Sequence, residues 1–322
     1  MFPAKDNLTI CFAHAAYRMM DRFELRKTGI KCFEVRAYDD LLKRIGEADV
    51  VLASGMWKND LIPHAGKLKF IQSISSGMDQ YSKEQLGAKG IRLASAAGVN
   101  ARAVAEHAIA LILAIARRLP EARDNQHKKV WRGMLGDLTQ REDELGGKTL
   151  LVVGMGRIGS HLAKLAKAFD MKVVGIRRDP KAGANGADEI HGMGDLVKLV
   201  PQADFVALTC ALTPETTGLM SAAAFAAMKP SSVFVNVARG KVADEEALIK
   251  TMQGGRIWAA ALDVTADEPL PAASPLWTMP NVFITPHTAG ETRAYEDNVL
   301  DILMENLDRL WRGEKTLRNQ VL

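Results

Sequence analysis

The chain is predicted to be α/β, with two successive units that each carry a parallel sheet covered by helices. Short β-rich runs alternate with amphipathic helical ones over the first hundred residues and again from residue 149 onward, the pattern of a parallel sheet. A glycine-rich turn also stands between a buried strand and a helix where the second alternation begins. The length of 322 residues suits two domains, each large enough to bury its own core.

In the first unit Leu8–Ala13, Ile30–Val35, Asp49–Ala53, Lys69–Ile74 and Ile91–Ala94 read as strands, with helical patterns at Arg18–Lys27 and Asp40–Glu47. A long helix is expected over Ala101–Leu119, with Asn100 as N-cap and Pro120 as its stop. Residues 121–148 read as a polar connection that ends near Gly146 and Gly147. Strands are then expected at Thr149–Val153, Lys172–Ile176, Asp204–Thr209, Val233–Val237, Ile257–Leu262 and Val282–Thr285. The stretch Glu291–Arg312 turns helical again, and periodicity alone assigns it to neither unit.

Composition removes several function classes. The 42 Lys and Arg residues against 38 Asp and Glu leave a net charge of only +4, without a block of like charges, so a nucleic-acid partner is not expected. Cys11, Cys32 and Cys210 show neither CxxC nor Cys/His spacing, so no disulfide framework and no metal site is expected, and a reducing compartment fits. The longest apolar run, Ala108–Ala116, is far below the roughly 20 residues that span a bilayer. The N-terminal run Leu8–Ala13 reads as a strand rather than a signal peptide, so the expected location is cytoplasmic.

The segment Gly154-Met-Gly156-Arg157-Ile158-Gly159 is GxGxxG directly after a strand and at the opening of a helix. In that context Gly154 permits the tight turn, Gly156 lets backbone approach a pyrophosphate, and Gly159 lets helix and strand pack closely. An acid at the end of the next strand would accept from the adenosine ribose; here the strand ends in Arg177-Arg178. A guanidinium can grip a 2′-phosphate that an acid would repel, so NADP(H) is favoured over NAD(H). The competing reading lets Asp179 supply the ribose contact instead.

Three later strands each end near one chemically capable residue: Arg239, Glu268 and His287. Strand carboxyl ends share one edge of a parallel sheet, where ligands bind. Hydride transfer to a carbonyl needs a proton donor that titrates near neutrality, the role given to His287. Glu268 would orient the imidazole and favour its charged form. Arg239 would hold a substrate carboxylate and polarise the reacting carbonyl. Asp263 is placed to accept from the nicotinamide amide. His107, inside the long helix, reads as a packed or hydrogen-bonded residue, and no HExxH or GxSxG is present. Met56 and Trp57 follow a strand and suit either a pocket wall or packing, while Trp131 could reach a partner's site in a dimer.

These residues resemble the D-isomer-specific 2-hydroxyacid dehydrogenase family over essentially the whole chain. The resemblance rests on Gly98-Val-Asn-Ala with Val104-Ala-Glu-His, Gly147-Lys-Thr, Val153-Gly-Met-Gly-Arg-Ile-Gly, Leu212-Thr-Pro-Glu-Thr216, Asn236-Val-Ala-Arg-Gly240, Asp263-Val with Glu268-Pro, Ser274-Pro-Leu-Trp277, and Asn281-Val-Phe-Ile-Thr-Pro-His287-Thr-Ala-Gly290. It implies two Rossmann-like or flavodoxin-like parallel-sheet domains with an interdomain active-site cleft. The substrate domain would be non-contiguous, residues 1–99 with 291–322, and residues 100–290 would form the NAD(P) domain, through which a homodimer assembles.

By position the resemblance makes Arg239, Glu268 and His287 catalytic, and the amides of Ser76 and Gly77, in the loop that runs to Asp79, substrate-binding. It puts Val104, Arg157, Ile158, Thr209, Thr216, Val237, Asp263, His287 and Gly290 at cofactor contacts, beside Gly154 and Gly156. Ala211 replaces a usual proline, Arg177 stands where NAD-preferring members carry aspartate, and Glu268 departs from the glutamine of the formate-oxidising branch. The end at Leu322 implies no C-terminal regulatory domain. The implied reaction is interconversion of a small 2-oxo acid and its D-2-hydroxy acid, with glyoxylate or hydroxypyruvate leading. A phosphoglycerate-type dehydrogenase, or a non-enzymatic dinucleotide sensor like the animal co-repressors that share this fold, are the alternatives.

Overall fold

Five parallel strands form the sheet of the first unit in a computed structural model that describes residues 2–78 and 80–322, so that Asp79 lies outside the described residues. Along the chain come β1 (Thr9–Ala13), α1 (Met19–Glu24), β2 (Lys31–Val35), α2 (Tyr38–Arg44), β3 (Val50–Ala53), β4 (Phe70–Ser73), α3 (Lys83–Ala88) and β5 (Arg92–Ala94). Their spatial order is β2-β1-β3-β4-β5, with Ile10 beside Val50 and Val50 beside Phe70. Every residue of β3 and β4 is buried. Both faces of these strands are covered, which is why they read as unbroken apolar runs rather than alternating ones.

The second unit follows with α4 (Ala101–Ala116), α5 (Leu119–His127), β6 (Thr149–Val153), α6 (Arg157–Ala168), β7 (Lys172–Ile176), β8 (Glu189–His191), α7 (Leu196–Leu199), β9 (Phe205–Leu208), α8 (Ala222–Ala227), β10 (Val233–Asn236), α9 (Glu245–Gln253), β11 (Ala259–Leu262) and β12 (Val282–Ile284). All seven strands are parallel, in the order β12-β11-β10-β9-β6-β7-β8. Successive residues of β6 feed opposite faces: Leu150 and Val152 join one apolar cluster with α4 and α6, and Leu151 and Val153 join another with Phe225 and Leu248. Chain direction away from β6 reverses between β6 and β9, the point where a doubly wound sheet opens a crevice.

After β12 the chain returns to the first unit as α10 (Tyr295–Trp311), and the two units comprise Met1–Asn100 with Thr292–Leu322 and Ala101–Glu291. Val299, Leu303 and Leu307 of α10 share a core with Leu8, Ile10 and Phe12. Arg22 of α1 and Arg26 of the turn that follows it pair with Asp297 and Asp301 of α10. The Tyr295 hydroxyl donates to the carbonyl of Ile74 at the end of β4.

The long helix expected over Ala101–Leu119 is shorter, and Pro120 does not stop it. It ends at Ala116, and Arg118 takes a left-handed backbone (φ +49°) while its guanidinium donates to the carbonyls of Thr139 and Arg141. Pro120 then sits in the first turn of α5, where its missing N–H costs nothing. The connection read as purely polar therefore opens with a helix. Strand β8 also escaped the sequence, being only three residues long, with none of them fully buried.

Candidate active site

Gly154 adopts φ +109°, and a side chain there would overlap the backbone of Cys210 at 2.5 Å. A Cβ on Gly159 would lie 2.3 Å from the carbonyl oxygen of Gly154, so strand and helix touch only because both residues lack one. Gly156 is different: it caps α6, and a Cβ there would meet nothing within 4 Å. Gly154 and Gly159 thus serve packing, and Gly156 faces open space at a helix N-terminus. The first turn of α6 holds no acid. The positive dipole end fits an anionic group there. The Thr209 hydroxyl, just past β9, donates to the Gly154 carbonyl at 2.8 Å and pins the loop to the neighbouring strand.

The other cofactor candidates distribute along the same sheet edge. Ile158 is half-buried in the first turn of α6, Arg157 is exposed, and Val237 is buried just past β10. Val104 lies buried in the first turns of α4, and Gly290 is half-buried beyond β12. The Thr216 hydroxyl turns into its own loop, donating to the Ala211 carbonyl and accepting from Thr213 N–H, both at 2.7 Å. At the end of β7, Arg177 donates to the carbonyls of Ala182 and Gly183, while the exposed Arg178 lies 3.8 Å from Glu215. Asp179 accepts from Lys181 N–H at 3.0 Å, so its carboxylate is engaged in a local cap.

The acid/base candidates lie on adjacent strand ends. His287 Nδ1–H donates to Glu268 Oε2 at 2.6 Å, and Glu268 Oε1 accepts from Thr265 N–H at 3.2 Å. This fixes the tautomer if the imidazole is neutral and leaves Nε2 for proton exchange. Glu268 rides on a loop held from α9, where Glu245 accepts from Ala266 N–H at 2.7 Å. That loop also abuts the Arg239 turn so tightly that a Cβ on Gly240 would fall 1.9 Å from the Thr265 carbonyl. Buried Asn236 closes the turn, donating to the Arg239 carbonyl and accepting from Ala238 N–H. Arg239 itself is exposed and, among the described residues, has no carboxylate within ion-pair distance.

Asp263 is held within its own sheet edge. Its side chain is 1% exposed, and its oxygens accept from the Thr285 hydroxyl at 2.6 Å, Thr288 N–H at 3.0 Å and Ala289 N–H at 3.1 Å. The Asp263 carboxylate thus ties down the loop that carries His287. His107 reaches the same cluster, with Nε2 2.9 Å from Thr285 Oγ1. Asn236, Glu245 and Thr285 were missed by sequence reasoning. The available signal was a polar side chain flanked by buried apolar ones, as in Val235-Asn236-Val237.

In the first unit the Ser75–Gly77 loop is tied down from below. Ser54 Oγ donates to Ser75 Oγ at 2.7 Å, and Ser75 Oγ donates to the Gly77 carbonyl at 3.0 Å. The amides of Ser76 and Gly77 donate to none of the described residues. Trp57 is buried against Tyr81, which selects packing over a pocket wall, while Met56 is half-buried. Among the described residues no cluster of three or more potential metal ligands occurs.

A family model described as "D-isomer specific 2-hydroxyacid dehydrogenase, NAD binding domain" matches residues 109–289, more than half of the chain. A glyoxylate reductase of Korarchaeum cryptofilum is 32% identical over 85% of this chain and 83% of its own length. A D-3-phosphoglycerate dehydrogenase of Methanocaldococcus jannaschii is 36% identical over 86% of this chain, which spans only 52% of that relative. The chain thus covers about half the length of the phosphoglycerate dehydrogenases it matches. Among solved structures, a D-isomer specific 2-hydroxyacid dehydrogenase family protein of Aeromonas salmonicida superposes with a TM-score of 0.85 at 29% identity, covering 98% of this chain and 99% of that one.

Proposed function

The chain belongs to the D-isomer specific 2-hydroxyacid dehydrogenase family, and from that premise we propose that it is an NAD(P)-dependent oxidoreductase that interconverts a small 2-oxo acid and its D-2-hydroxy acid. The observation that carries this reading is the His287–Glu268 pair at 2.6 Å on strand ends adjacent to that of Arg239. When bound, a nicotinamide dinucleotide supplies the hydride for reduction or accepts it in the reverse direction. His287 Nε2–H delivers the proton to the carbonyl oxygen, and Glu268 stabilises the imidazolium before it does so. Arg239, without a carboxylate partner among the described residues, takes the acid's carboxylate and polarises its carbonyl. The amides of Ser76 and Gly77, which donate to none of the described residues, are proposed to bind substrate.

Glyoxylate or hydroxypyruvate is the preferred substrate type, a reading supported by the relatives named glyoxylate reductase. NADP(H) is the preferred cofactor, because Arg177 and Arg178 end β7 and Asp179 is occupied by its own turn. The test is purified protein with NADPH or NADH and a panel of glyoxylate, hydroxypyruvate, 3-phosphohydroxypyruvate and pyruvate. Turnover of the first two is expected to dominate, and no turnover of any would overturn the reading.

A homodimer is the proposed assembly. Trp131 is 98% exposed, and Met134 and Leu138 are exposed with it, in one segment beyond α5. Such a run of bare apolar side chains suits burial against a second copy. Sedimentation of the protein and of a Trp131→Ser, Met134→Ser variant checks this, with a shift from dimer to monomer expected. No helix among the described residues is long and apolar enough to cross a membrane, and the cytoplasm is the proposed location.

A further inference from the structure

We propose that His107 of α4 is a positioning residue for His287, acting through the Thr285 hydroxyl and the buried Asp263 carboxylate; the inference rests on the acid/base role proposed for His287. The direction of each hydrogen bond follows from donor counting. Asp263 as a carboxylate only accepts, so the single proton of Thr285 goes to Asp263 Oδ1 at 2.6 Å. His107 Nε2, 2.9 Å from the same hydroxyl oxygen, must then carry a proton and donate. The same Nε2 lies 3.5 Å from Asp263 Oδ1, and among the described residues His107 is the only basic side chain within ion-pair distance of that carboxylate.

What this chain fixes is the backbone of His287. Asp263 accepts from Thr288 and Ala289 N–H with its side chain, and its own carbonyl accepts from His287 N–H at 2.8 Å. Thr285, Thr288 and Ala289 bracket His287 on both sides, so one carboxylate sets the path of the loop. His287 needs that restraint, because it sits at φ +56°, a left-handed conformation that is unfavourable for a non-glycine residue. α4 packs into the same core as Val235 and Ala261 of β10 and β11. His107 therefore transmits a rigid reference from the helix to the loop while its side chain stays only 23% exposed.

Three variants test the assignment. His107→Leu keeps bulk and removes the donor; kcat is expected to fall about tenfold with KM for the 2-oxo acid nearly unchanged, as for a misplaced acid/base group. His107→Gln, whose amide nitrogen can stand close to the place of Nε2, is expected to recover most of kcat. Thr285→Val removes the intermediate hydroxyl with little change of shape and is expected to match His107→Leu. Wild-type kcat in His107→Leu or Thr285→Val, or equal losses in His107→Leu and His107→Gln, would overturn the proposal.

The His287 ring 15N and 1H signals, assigned by their loss in His287→Ala, supply a readout that needs no turnover. They are expected to move in His107→Leu and to return toward wild type in His107→Gln. Unmoved signals in His107→Leu refute the positioning role even if no 2-oxo acid is turned over, whereas inactivity of the wild-type protein alone refutes only the proposed activity.

Discussion

His287 Nδ1 lies 2.6 Å from Glu268 Oε2 although the two residues belong to loops after different strands. The Glu268 loop is held by the Thr265 amide and by Glu245 of α9, and His287 is held by Asp263 at the end of β11. The imidazole is thus oriented before any ligand arrives, with Nε2 as its proton-exchanging atom. The side chains of both residues remain partly exposed, at 43% and 38%, as an accessible proton donor requires. His287→Ala is expected to lower kcat by at least about 10²-fold while the dissociation constant for NADPH stays within about twofold. Stopped-flow turnover and fluorescence titration of the cofactor check both halves; near-normal kcat would remove His287 from the chemistry.

The proposed preference for NADP(H) is tested at the end of β7. Arg177 is braced against the carbonyls of Ala182 and Gly183, which holds its guanidinium close to the chain that follows the strand. A planar cation so placed suits a 2′-phosphate, whereas a carboxylate would suit the bare ribose. Arg177→Asp is expected to lower the ratio of kcat/KM for NADPH over NADH by at least about tenfold, a difference of about 1.4 kcal/mol in transition-state binding. A wild-type protein that already prefers NADH would defeat the arginine argument before the variant is made.

The Arg239 turn and the Glu268 loop are one packed unit. Gly240 makes this approach feasible, since any Cβ there falls 1.9 Å from Thr265 backbone, which cannot swing aside as a side-chain tip would. Gly240→Ala must therefore push the two loops apart. It is expected to cost about 2–4 kcal/mol of stability, a fall in Tm of several degrees, and to reduce kcat/KM. Differential scanning calorimetry checks the first part; an unchanged Tm would mean that the loops separate freely.

Much of this was legible in residue order. The strands announced themselves as short apolar runs because β3, β4, β9 and β10 are buried throughout. Arg239, Glu268 and His287 stood out because each follows such a run. Contacts between residues distant in sequence stayed hidden: Asp263 to Ala289 is 26 positions, and His107 to Thr285 is 178. A carboxylate at a strand end looks the same in sequence whether it faces ligand or its own loop. Pro120 misled for a related reason, since proline both ends helices and begins them.

Stability toward acid rests on carboxylates with identifiable partners, and Asp188 is the clearest in the second unit. It accepts from Lys167 Nζ at 2.8 Å and from Val173 N–H at 2.8 Å, tying α6 to the start of β7. The Lys167 ammonium, followed by the Val173 amide, holds its carboxyl below the usual range. A folded value below the unfolded one means that the unfolded chain binds more protons as pH falls. The contribution is therefore fully present above the unfolded pKa of about 4 and is lost as pH drops through the folded value. Because the Asp188 side chain is 38% exposed, solvent screening keeps the effect modest. Asp188→Asn is expected to lower Tm by about 2 °C at pH 7 and by progressively less below about pH 4. Thermal melts of both proteins from pH 7 to pH 3 check this, and a gap that widens toward acid would reverse the sign of the assignment.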